Sequence, residues 1–283
     1  MIFKKDNATT AEDEMGFFDH IEILRWHIIR SLIAIIVVTV FALIYSNWVF
    51  DSVIFGPVHG NFPTYRALCW LTETVRPLLC QYSSLLCPEK GLCIDGIDIK
   101  FMNTELFGQF ITQIQMSITF GFIVAFPYIL WELWSFVKPA LSESEAKKSS
   151  AIILASSLFF FVGVLFAYFL IIPFSLNFAA HYMVSGVINN MFTLDNYIGF
   201  ITMMMLGCGI VFELPMIIYF LAKINIITAT FMRDYRRHAI IVIMVLAAVI
   251  TPSPDMFTMM IVAVPIYILY ELSILVAARV NPN

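Results

Sequence analysis

Apolar residues in this chain gather into blocks long enough to cross a lipid bilayer, which takes about 20 of them in a helix. The first block is 28–49. The second, 107–137, is oversized and is interrupted by Gln109, Gln113, Gln115 and Glu132. The third is 151–173, and the fourth, 197–221, holds a single acid, Glu213. The fifth, 238–251, has an apolar stretch of only twelve residues, 239–250. As a helix these reach roughly 18 Å, against a hydrocarbon layer of about 30 Å. The sixth, 256–278, follows the turn Thr251-Pro252-Ser253-Pro254-Asp255. The pattern predicts one all-α domain over 1–283, a polytopic integral membrane protein with six transmembrane helices. The last two are expected to be short on the side of that turn, and 50–106 to form a long loop. Prolines at 57, 127, 139, 173, 215, 252, 254 and 265 mark spans or their ends. Kinked helices point to a curved bundle with a concave face.

Composition supports this reading. The chain is 60% hydrophobic and 13% charged, where soluble domains carry about 25% charge. A net charge of −4 gives no support to nucleic-acid binding. The polar, acidic start lacks the pattern of a cleavable signal peptide, so the first span is expected to remain as an anchor. With six spans, one side of the membrane holds Lys4, Lys5, Arg25, Arg30, Lys138, Lys147, Lys148, Lys223, Arg233, Arg236, Arg237 and Arg279. The other holds Arg66, Arg76, Lys90 and Lys100. The positive-inside bias places both termini in the cytoplasm.

That orientation puts Cys69, Cys80, Cys87 and Cys93 together in the extracytoplasmic loop 50–106. Four thiols there suit two disulfides in any of three pairings, the alternative being free or metal-binding thiols. Cys208, inside the fourth span, reads as an apolar packing residue. No phosphate-binding glycine loop, zinc-binding His-Glu-x-x-His or Gly-x-Ser-x-Gly elbow is present, and the five histidines are scattered. No enzyme, cofactor or resident metal is expected. The chain reads as a passive, gated or partner-driven membrane component.

Four acids stand out. Glu213, before Pro215, is deep in an apolar run, where an ionisable group is costly and marks a functional site by default. The alternative is a carboxyl near a helix end, satisfied by water or by backbone. Glu145 either closes a capping box with Ser142 or offers an exposed carboxylate to a partner's arginine. Glu22 forms a similar box with Asp19, on a segment whose Phe17, Ile21, Leu24 and Ile28 make an amphipathic stripe at the membrane interface. Asp255 fits an N-cap of the sixth helix.

Taken together, these stretches resemble the TatC family, the large membrane subunit of the twin-arginine protein translocase. The resemblance rests on His20-Ile21-Glu22-Ile23-Leu24-Arg25, on Phe136-Val137-Lys138-Pro139-Ala140-Leu141 with Glu145, and on Gly163-Val164-Leu165-Phe166-Ala167-Tyr168 with Pro173. Phe212-Glu213-Leu214-Pro215, the Thr251–Asp255 turn and Pro265-Ile266-Tyr267 with Glu271 complete it. It implies a receptor for signal peptides bearing paired arginines, in the bacterial inner membrane. Folded proteins would cross the membrane with the help of small single-span partners of the TatA/TatB type, driven by the proton-motive force. A homo-oligomer within the complex is also implied. Glu145, Phe136, Pro139, Glu22 and Arg25 then belong to the signal-peptide site. Glu213, Asp255 and Met259 belong to an intramembrane partner groove. The sequence departs from the family in three places: Ile23 stands where a carboxylate is usual, Met259 where a glutamine is common, and the four-cysteine loop is long. A second reading from another class is a proton-coupled small-molecule transporter using Glu213, which predicts internal repeats; the first and last three spans show none.

Overall fold

The structure, a computed structural model, describes residues 17–82, 101–138, 149–185, 190–251 and 256–280. Helix α1, Phe17–Ile44, is unbroken. The amphipathic segment and the first span are therefore one helix, with the backbone of Asp19 inside it. After α1 the chain passes through a wide π-helical turn, Val49–Ile54, and a 3-10 turn, Gly56–Val58. Within the predicted long loop it then builds a further helix, α2, Pro63–Tyr82.

A two-residue strand β1, Phe101–Met102, leads into α3, Gly108–Val137, a 30-residue helix with Pro127 inside it. The third span is longer than its apolar block. It runs from α4, Ser149–Phe166, through a π-helical turn, Ala167–Ile171, into α5, Ile172–His181. Pro173 causes the irregularity, because it has no N–H for the carbonyl one turn before it. That carbonyl, on Phe169, is taken by the Thr64 hydroxyl from α2.

Strand β2, Phe192–Thr193, pairs in parallel with β1, with Phe101 opposite Phe192 and Met102 opposite Thr193. The fourth span is α6, Leu194–Val211, capped by the Thr193 side chain, and α7, Leu214–Lys223. Pro215 forces the break between them for the same reason as Pro173. Asn225, at φ 58°, takes the left-handed conformation that ends α7, a role asparagine fills at low strain. Helix α8, Ala229–Asp234, is capped by Thr228 and is followed by α9, Arg236–Ile250, and α10, Met256–Val280.

Five helices among the described residues are long and apolar enough to cross a membrane. The fifth predicted span, α9, is not one of them: its 15 residues reach only about 22 Å. The final helix was expected to be short as well. At 25 residues it is the shortest of the five yet long enough to span, so α9 alone falls short.

One core joins α3, α4, α6, α9 and α10, with Phe160, Ile171, Ile198, Met204 and Val262 fully buried in it. A smaller cluster packs Ile218 and Ala222 of α7 against Ala229 and Met232 of α8 and Ile274 and Ala277 of α10. Helix α1 leans chiefly on α3, where Gly121 lets the two backbones meet: a Cβ there would lie 3.0 Å from the Ile35 carbonyl oxygen. Small residues at such crossings compensate for the lack of hydrophobic drive between helices in lipid.

Candidate functional site

The beginning of α1 and the end of α3 lie side by side and bring several of the predicted residues to one end of the molecule. Glu22 and Arg25 are exposed on the first turns of α1. On α3, Tyr128, Glu132 and Phe136 recur every four residues and so share one face. His27 of α1 meets that face. Its Nδ1 lies 2.5 Å from Glu132 Oε2, and its ring is edge-on to Phe136 with centroids 6.2 Å apart. The Tyr128 hydroxyl donates to Glu132 Oε1 over 2.6 Å. Both carboxylate oxygens are thus occupied, and Glu132 is 2% exposed. Arg30, close to His27 along α1, adds its positive field to the carboxylate.

Of the residues expected at this end, Phe136 is half-buried beside His27. Pro139 and Glu145 lie outside the described residues.

The second constellation surrounds Glu213 in the turn between α6 and α7. It is 7% exposed. The Ser156 hydroxyl, from α4, donates to its Oε2, while Oε1 has no partner among the described residues. Beside it is a cavity of about 400 Å³ walled by Phe126, Leu130, Trp134, Ile210, Met216 and Phe220. A carboxylate with one free oxygen against an apolar hollow is incomplete as a structural unit, because a buried polar group without a partner is costly.

Met259 does not line that cavity. It sits half-buried near the start of α10, packed against the main core. Asp255 is outside the described residues. Gly209, one turn before Glu213, is met by the Phe160 and Val164 side chains of α4. A close backbone approach occurs at Gly163, against the Cys208 carbonyl.

In the loop, Cys69 of α2 is disulfide-bonded. The side chains of Cys80, Cys87 and Cys93 fall outside the described residues. Cys208 is free and buried, as its reading as a packing residue requires.

Residues 19–265 match the family model described as Sec-independent protein translocase protein (TatC). The chain belongs to the TatC family. It is 37% identical over 270 residues to the TatC of Blattabacterium sp. subsp. Periplaneta americana (strain BPLAN), covering 95% of this chain and 97% of that one. With the TatC of Carboxydothermus hydrogenoformans identity is 31% over 269 residues, 95% of each chain. The crystal structure of the twin arginine translocase receptor TatC is similar with a TM-score of 0.67 at 26% identity, covering 92% of this chain and 99% of that one. The TatC structure in DDM gives a TM-score of 0.69 at 27% identity, over 90% and 98%. As a TatC-family protein, the chain is a multi-pass membrane component of the Sec-independent protein translocase in the bacterial inner membrane.

The His27–Glu132–Tyr128 cluster of this TatC-family chain was not legible as a site in the sequence. Glu132 read as an interruption of the second span, and His27 as one of five scattered histidines. The usable signal was the Tyr128, Glu132, Phe136 stripe, since an acid on an apolar helix needs a partner from a neighbour.

Proposed function

We propose that this chain is the receptor subunit that binds twin-arginine signal peptides at the end formed by the start of α1 and the end of α3. The supporting observation is the His27–Phe136 contact, which joins the helix start carrying Glu22 and Arg25 to the helix end that leads into Pro139 and Glu145. The Lys/Arg bias puts this end, and both termini, in the cytoplasm. Glu145 is the carboxylate that pairs with a signal-peptide arginine; two oxygens meet a guanidinium in bidentate geometry, which makes an arginine pair a specific label. Phe136 and Pro139 shape the surface around it.

Glu213 and its cavity serve a different step. A single-span partner of the TatA/TatB type lays its helix along the apolar walls and offers a polar group to the free Oε1. Asp255 and Met259 are assigned to the same partner groove, nearer the other end of the membrane. Copies of this chain assemble with these partners, and folded cargo crosses at the expense of the proton-motive force.

The decisive test is site-specific photo-crosslinking of an Arg-Arg signal peptide to membranes carrying the chain. Glu145→Gln retains the capping geometry and removes the charge. It should abolish the crosslink while membrane insertion stays intact; a normal crosslink would remove Glu145 from the site.

A further inference from the structure

We infer that His27, Glu132 and Tyr128 form a polar latch that fixes the start of α1 against the end of α3 and thereby sets the position of the Phe136 ring; His27 and Glu132 are positioning residues. The inference rests on the signal-peptide reading above for its functional consequence, and on geometry alone for the latch.

Most side chains at this end of helix α1 are exposed. Trp26, Ile28, Leu32 and Ile33 are exposed on its surface, and the backbone contact at Gly121 lies further along the helix, beside Ile35 and Thr39. Apolar side chains in lipid give no preference for one rotation or tilt of α1 over another, because the surrounding tails are equally apolar. A buried carboxylate does. Glu132 has one oxygen on a residue of its own helix, Tyr128, and the other on His27 of α1, so α1 can neither slide nor rotate without stripping a partner from it. One turn past Glu132 on the same face, Phe136 makes a T-shaped contact with the His27 imidazole. The same imidazole therefore touches both the buried acid and the aromatic ring at the proposed peptide site. His27 is 17% exposed and Glu132 only 2%, so the carboxylate is the shielded member of the latch and the histidine the accessible one.

The test uses the full chain in detergent or nanodiscs, spin-labelled at Trp26→Cys and Trp131→Cys, two exposed positions on α1 and α3. His27→Leu and Glu132→Leu should each broaden the distance between the labels and weaken binding of an Arg-Arg signal peptide about tenfold, the scale of one lost hydrogen bond to a charged group. The exchange variant, His27→Glu with Glu132→His, should restore both the distance and the affinity, which a merely structural role for either residue would not produce. Unchanged distances in both single variants, or an exchange variant no better than the singles, would overturn the latch. If the unsubstituted chain fails to bind the peptide, the receptor reading falls and takes the role of Phe136 with it, while the label distances still decide whether the latch holds α1.

Discussion

The hydroxyl of Tyr197, on α6, donates over 2.6 Å to the carbonyl of Ile54, 143 residues earlier in the chain. Both residues are buried. Two other tyrosines among the described residues donate to carbonyls of the same segment. Tyr168, in the π-helical turn before α5, donates to the carbonyl of Val53 over 2.6 Å, and Tyr65 of α2 donates to that of Pro57 over 2.7 Å. The irregular segment 49–58 leaves carbonyls without helical partners, and three tyrosines from three elements supply the missing donors.

Tyr197→Phe keeps the ring, and with it the stacking on Phe55 at 6.0 Å, but removes the donor. The Ile54 carbonyl is then buried and unpaired, which costs about 1–3 kcal/mol. A clear drop in Tm of the detergent-solubilised protein is expected. An unchanged Tm would mean that another donor reaches Ile54.

Tyr65 gives the same device a pH dependence. It is buried outside the membrane-spanning helices, and burial pushes its hydroxyl up to about 12 from an ordinary value of 10.0. Because folding raises this pKa, the stability it contributes is complete below 10.0 and is lost as pH rises through about 12. Thermal melts of the unsubstituted protein and of Tyr65→Phe, taken from about pH 9 to about pH 12, should show a Tm gap that closes with rising pH. A constant gap would show that folding leaves the pKa of Tyr65 unchanged.

Glycine acts where α4 and α6 cross. A Cβ at Gly163 would lie 2.7 Å from the Cys208 carbonyl oxygen and 2.7 Å from the Phe212 Cβ. Neither neighbour is the tip of a flexible side chain, so Gly163→Ala has to push the helices apart, at about 1–3 kcal/mol. Gly199 on α6 is the control, since a Cβ there meets nothing within 4 Å. Gly199→Ala should be neutral or stabilising by up to about 1 kcal/mol through helix propensity alone. Tm values that fall equally in both would locate the effect in the helix backbone and not in the crossing.

These particulars mark what the sequence could convey. Apolar block length revealed the long spans, because a bilayer imposes one dimension on every crossing. It missed α2, whose alternation of polar and apolar residues belongs to a helix lying over other protein at the end of the bundle. It also stopped the third span at Pro173, reading that proline as an end. The chain continues because Thr64, more than a hundred residues away in sequence, serves the freed Phe169 carbonyl. Single-residue chemistry was legible at Glu213, where an acid stands alone in an apolar run. Pairing was not: nothing local links His27 to Glu132, and the acid's meaning depends on which helix packs beside it.

Glu213 separates stability from function. Ser156 donates to one of its oxygens, and the other has no described partner. Ser156→Ala leaves the carboxyl without that donor and should lower the Tm, at about 1–3 kcal/mol. Glu213→Leu removes the group that needs satisfying and extends the apolar wall of the adjoining cavity. Replacing a buried ionisable group by an apolar one of similar volume is often neutral or stabilising, so its Tm should match or exceed that of the unsubstituted protein. If Oε1 is kept free for a partner helix, Glu213→Leu should nonetheless weaken co-purification of single-span partners and reduce transport, whereas Ser156→Ala should spare both in the fraction that stays folded. A Glu213→Leu protein that melts lower than Ser156→Ala would make the carboxylate a structural group and withdraw it from the partner groove.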